Sequence, residues 1–132
     1  MFLDDLSDYL SSGGITGTIF TGVMMDTPDA AVGLYETGGT APTHAMNPNP
    51  GQAVVERPSV QVVCRAAADD YAAARTKAQA IFVLLDGLPT RTINGVAYKW
   101  GAARQSPFLM GRDESGRVLV ACNFDVVKAM ST

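Results

Sequence analysis

Near the C-terminal end of the chain, Val118, Val120, Cys122, Phe124 and Val126 fall in one phase of a two-residue alternation, and Leu119, Ala121, Asn123, Asp125 and Val127 fall in the other. A period of two is that of a half-buried strand, so the first set belongs to a core. The second set forms a mixed face that can meet another surface. Val60, Val62, Cys64 and Ala66 alternate in the same way with Gln61, Val63 and Arg65 and predict a second such strand. Asn94-Gly95 between Ile93 and Val96 tolerates positive φ at both central positions of a type I′ turn and predicts a tight hairpin. Asp113 to Gly116 predicts a slightly longer one.

Helical spacing appears twice. Phe2, Leu3, Leu6, Tyr9 and Leu10 recur on one stripe with Asp4, Asp5 and Asp8 between them, where carboxylates suit the positive end of the helix dipole, and Gly13-Gly14 ends the segment. In the second helix Asp69 and Asp70 supply capping and first-turn carboxylates. Tyr71, Ala74, Ala78, Ile81, Phe82 and Leu85 form the buried stripe, Arg75 and Gln79 lie on a more polar face, and Gly87 with Pro89 stops it. Thr18 to Val23 and Ala31 to Glu36 read as short strands around an Asp26 to Asp29 turn, as a hairpin or as neighbours. From Thr37 to Gly51 the residues become Gly, Pro, Asn and Thr, which predicts a long irregular loop suited to docking. The resulting order predicts an α+β fold: a mixed, mainly antiparallel sheet with two helices packed on one face, plus the long Pro/Asn-rich loop, in a single domain over residues 1–132.

Composition adds that the surface is lightly charged. Hydrophobic residues make up 47% and charged residues 17% of the chain, so part of the surface is expected to meet protein. No apolar run reaches the ~18 residues needed to span a bilayer, and the N-terminus lacks the pattern of a secretory leader, so no membrane partner is expected. Net charge is −3, unevenly spread. Residues 1–56 hold seven acids and no Lys or Arg, whereas residues 57–132 hold ten bases and six acids. Either the charges intermix on one folded surface, or an acidic side of one copy faces the basic side of another.

Candidate chemistry is sparse. Gly13 to Gly17 follows a helix and lacks the Gly-Lys-Ser/Thr of a phosphate cradle. His44, the one histidine, has no nucleophile in an elbow motif beside it. The pairs Asp4-Asp5, Asp69-Asp70 and Asp113-Glu114 are explained by helix starts and a turn. Cys64 and Cys122 sit in core phase as structural thiols, and with a single histidine they make no zinc site. Met24-Met25 suits core or interface packing. No catalytic, cofactor or metal site is therefore expected. The candidate protein-interface residues are Pro42, His44, Asn47, Pro48 and Asn49 in the loop, with Arg75, Arg104, Arg112 and Asp113 as interprotein polar contacts.

Leu34 to Gly39, Pro58 to Arg65, Asp70 to Leu88, and Gln105 to Arg117 followed by Asn123-Phe124 together resemble the tail terminator proteins of long-tailed bacteriophages, also described as phage minor capsid or tail completion proteins. The resemblance spans most of residues 34–127, but the Pro42 to Pro50 stretch lies outside its pattern. It implies a non-enzymatic virion protein, made in the host cytoplasm. Six copies would form a ring that caps the head-proximal end of the tail tube, stops its polymerisation and joins it to the neck. The implied partners are further copies of the chain, tail tube protein and a neck or stopper protein, with viral DNA passing through the lumen without specific binding. The alternatives are another neck component, such as a head-completion or stopper protein, and a small hydrolase or nucleotide-binding enzyme with a pocket of convergent polar groups.

Overall fold

Strand β7 (Arg117–Ala129) runs through the middle of the molecule with the predicted alternation: Val118, Val120, Cys122, Phe124 and Val126 are all buried. The computed structural model describes residues 2–44 and 53–129. In chain order the other elements are α1 (Phe2–Ser12), β1 (Thr18–Thr21), β2 (Ala31–His44), β3 (Ala53–Ala68), α2 (Tyr71–Leu85), β4 (Arg91–Ile93), β5 (Val96–Ala103) and β6 (Phe108–Arg112). They build one seven-stranded sheet in the order β1-β2-β3-β7-β5-β4, with β6 also paired to β7. Every pairing is antiparallel except that of β1 with β2. Of the two arrangements open for the first strands, the structure takes the neighbouring one: β1 and β2 lie side by side in parallel, which no tight hairpin can connect.

Both helices pack on one face of this sheet. Phe2, Leu3, Leu6 and Leu10 of α1 share a single apolar core with Ala74, Ala78, Ile81 and Leu85 of α2 and with the inward residues of β2, β3 and β7. Asp5, 1% exposed, faces inward with the apolar stripe of α1. Its carboxylate accepts from the Tyr98 hydroxyl at 2.7 Å and from Asn94 Nδ2 at 2.9 Å, and Asn94 Nδ2 also reaches Asp8 at 2.8 Å. A polar clamp thus fastens α1 to the β4–β5 hairpin. That hairpin turns as expected: Ile93 faces Val96, with φ of +50° at Asn94 and +80° at Gly95. Asp70 caps α2 by accepting from the Ala73 N–H at 3.2 Å. Tyr71 departs from the predicted stripe, because it sits on the first turn, beyond the cover of the sheet, and is 45% exposed. Phe82 is half-buried, its ring 6.5 Å from that of Phe124.

The largest correction concerns the segment predicted as a long loop. Thr37 to His44 continue β2 in a ladder with β3, pairing Thr37 with Ser59, Thr40 with Arg57, Thr43 with Val55 and His44 with Ala53 across irregular steps. Gly39 is needed by this pairing: a Cβ there would lie 2.1 Å from the Arg57 carbonyl oxygen. The alternation that betrays a half-buried strand is absent because residues 36–42 are exposed on both faces. The rest of the predicted loop, to Gly51, falls outside the described residues.

Candidate functional site

The sheet is open along both of its sides, and the two sides are dissimilar. On one side β1 covers β2 only from Ala31 to Leu34, and the Gly22 N–H closes that contact on the Leu34 carbonyl at 2.8 Å. Beyond it, the outer edge of β2 has no strand partner among the described residues. On the other side, among the described residues, β4 pairs only with β5 and β6 only with β7, and the β6 edge is apolar: Phe108, Leu109 and Met110 are 37%, 56% and 45% exposed. Trp100 on β5, 48% exposed, stands opposite Val127 on the face turned away from the helices. An apolar strand edge left open to water is a template for pairing with another chain.

Two arginines shape the surface beside these edges. Arg65, 6% exposed, donates to the carbonyls of Met25 at 2.7 Å, Pro28 at 2.6 Å and Asp29 at 2.9 Å. Arg117, also buried, donates to the Asp26 carbonyl, to Asp26 Oδ1 at 2.8 Å, to Asp29 Oδ1 at 3.3 Å and to Asp113 Oδ2 at 2.7 Å. Together they satisfy the backbone of the β1–β2 connection and hold it across the sheet. Val23 and Met25 are left on its outside, 70% and 60% exposed. Asp113 meanwhile organises the β6–β7 turn, accepting from the N–H groups of Ser115 at 3.0 Å and Arg117 at 2.9 Å. Its desolvation opposes the charge, but these N–H groups and the Arg117 guanidinium outweigh it and hold the carboxyl below its usual range.

The interface candidates chosen from sequence are scattered. Arg112 and Asp113 meet at one end of β6, where Arg112 pairs with Asp69 at 3.1 Å. Arg104 lies at the other end and joins Asp125 at 2.8 Å and Ser59 at 3.3 Å. Arg75 bonds Gln79 at 2.9 Å along α2. Pro42 is exposed on β2, at the opposite side of the sheet, and His44 ends that strand. Asn47, Pro48 and Asn49 are outside the described residues. Sequence reasoning passed over Phe108, Leu109, Met110 and Trp100 as surface residues, and over Arg65 as a buried anchor. Phe108 to Met110 is an unbroken apolar run, which composition alone assigns to a core, so no signal in the sequence marks it as an edge.

Polar groups in the grooves serve one another. In the cleft lined by Asp8, Tyr9, Ser12, Arg91 and Asn94, the Arg91 guanidinium stacks 4.8 Å over the Tyr9 ring and Asn94 bridges to α1. Burial pushes the Cys64 thiol up to about 12 and the Cys122 thiol up to about 11, which suppresses their thiolates. Among the described residues no three His, Cys, Asp or Glu side chains group to hold a metal, and no helix is long and apolar enough to cross a membrane.

Sixteen chains of solved structures match this one. One, whose name carries no functional description, superposes with a TM-score of 0.55 over 95% of this chain and 89% of its own, at 18% identity. That likeness speaks for the fold alone. No curated protein matches. The sequence model of the family described as Bacteriophage tail terminator protein matches residues 7–129. It takes in every strand and α2, together with both open edges, and the chain belongs to this family of structural phage tail proteins.

Proposed function

We propose that the protein closes the head-proximal end of a phage tail tube as a ring of six copies, ends tube polymerisation and provides the surface on which the neck docks. The observation that carries this reading, beside the family match, is the pair of unlike open edges at opposite sides of one sheet. A subunit with two different edges makes head-to-tail contacts, and such contacts close into rings or run on as filaments. A terminator must close. Growth then stops because one side of the ring fits the tube while the other offers the neck a different surface.

The partners in this reading are further copies of the chain, tail tube protein and a neck or stopper protein, all within the virion after assembly in the host cytoplasm. The whole chain acts as one domain. Pro42, His44, Asn47, Pro48, Asn49, Arg75, Arg104, Arg112 and Asp113 are proposed as contact residues. At −3 per chain the assembled ring is acidic, which favours DNA transit without gripping. Counting copies on purified tails tests the proposal. Six at one tube end is the expected result; copies along the whole tube, or another count, would refute it.

A further inference from the structure

The outer edge of β2 beyond Leu34 and the outer edge of β6 are matched in direction, faces, charge and local irregularity. Because β2, β3, β7 and β6 alternate strictly, a second β2 added antiparallel to β6 points the same way as the first. Every copy then has the same orientation and turns its helices to the same side of a continuous sheet. We infer, on the footing of the ring proposed above, that the outer edge of β2 pairs antiparallel with the outer edge of β6 in the next copy, with Glu36 opposite Arg112.

Several observations fix this register. The Leu34 carbonyl points outward to Gly22, so Glu36, two residues on, presents its own N–H and C=O at the open edge. Glu36 shares the sheet face of Leu34, and Arg112, opposite Val118, stands on the same helix-bearing face. Opposite charges placed so across strands attract. Arg112 is free to exchange partners, since its bond to Asp69 joins groups 61% and 78% exposed. Where the two edges would meet, each strand carries one extra residue relative to its inner neighbour, between Thr37 and Thr40 in β2 and between Leu109 and Gly111 in β6. In the register given, Gly38 and Gly39 lie beside Met110 and Leu109. A Cβ at Gly38 would meet nothing within 4 Å, which leaves room for a large apolar side chain from the neighbouring strand. The contact covers the apolar edge of β6, and it joins the acidic part of one copy to the basic part of the next.

The stagger between copies also suits a closed sheet. Glu36 stands level with Phe124 through Val60, whereas Arg112 stands level with Val118, so successive copies are staggered by six residues along the strands. At ~3.3 Å per residue that is about 20 Å, against about 19 Å for four strand spacings of ~4.8 Å. A stagger equal to the width tilts the strands about 45° from the ring axis, at the upper end of the range found in closed sheets.

Charge reversal tests the pairing. Sedimentation at graded concentrations, with and without purified tube ends, is measured for the unaltered protein, Glu36→Lys, Arg112→Glu and the double variant. Each single change should weaken ring formation at least about tenfold, and the double change should restore it to within about threefold. As a second probe, Glu36→Cys with Arg112→Cys should give disulfide-linked multimers on oxidation, since the native thiols are buried. A protein that stays monomeric both alone and on tube ends would end the ring reading and the pairing together. A ring that forms normally with both single reversals, and that gives no cross-linked multimers, would end the pairing alone.

Discussion

Replacing Tyr98 by Phe removes one oxygen from the polar clamp between α1 and the β4–β5 hairpin. The Tyr98 ring is fully buried, and its hydroxyl donates at 2.7 Å to the buried carboxylate of Asp5. A hydrogen bond to a charged acceptor contributes ~1.5–3 kcal/mol, and Asn94 still serves the other oxygen, so the expected loss is about 2 kcal/mol at pH 7. For a chain of this length that corresponds to ~6–10 °C in Tm. Alkaline pH supplies an internal control. Burial first, and then the hydrogen bond and the charge of Asp5, raise the Tyr98 hydroxyl far above its ordinary value, so the folded protein holds a proton that the unfolded chain releases from about pH 10. The stabilisation is complete below that pH and is lost as pH rises, by about 1.4 kcal/mol per unit, in the parent protein only. Parent and variant should therefore converge about 1.5 units above pH 10. Urea unfolding at pH 7, 9, 10.5 and 11.5 measures the gap. Equal stabilities at pH 7, or a gap unchanged at pH 11.5, would refute the account of the clamp.

Gly95→Val forces a β-branched residue to a φ of +80° and should destabilise the protein by about 1–2 kcal/mol, read as a lowered unfolding midpoint. Gly39→Ala places a methyl group against the Arg57 carbonyl, and amide hydrogen exchange should speed up in residues 36–42 and 55–58 while β7 keeps its protection. Cys64 and Cys122 should resist a thiol-specific reagent in the folded protein and react once it is unfolded. Because both thiols are raised on folding, stability should also fall as pH climbs above about 9, and the double Cys→Ala variant should show a shallower fall.

What could be read in advance depended on contrast between two faces. Helix α2 was legible because one side is buried and the other wet, and the strands at 118–127 and 60–66 were legible because one phase of each is uniformly apolar while the other, though largely covered, mixes in polar residues. The Asn94-Gly95 turn was legible because local sterics alone dictate it. The outer half of β2 was not, since a strand wet on both faces has the composition of a loop, and its Gly39 marks close packing in a segment that reads as irregular. Of the candidate contacts, the four named for their polarity, Arg75, Arg104, Arg112 and Asp113, have partners within the chain. The apolar rim of β6 was harder to see. Phe108 to Met110 reads as core by composition, and only the three-dimensional order of strands puts it at an edge.

Strand β7 has β3 along nearly its whole length on one side, but two short strands end to end on the other: β5 against Phe124–Lys128 and β6 against Val118–Ala121. The interruption at 104–107 works as an expansion joint. Strain arriving through β6 enters β7 near its start and strain arriving through β5 enters near its end, so either wing can flex while the other keeps its twist. The β3–β7 ladder is the girder common to both. Two residues rivet the joint: the Arg104 N–H holds the Asn123 carbonyl at 2.8 Å while its guanidinium ties Asp125 on β7 to Ser59 on β3, and Gln105 accepts from the Asn123 N–H at 3.1 Å. A part built this way can be tugged at one rim without prying open the other.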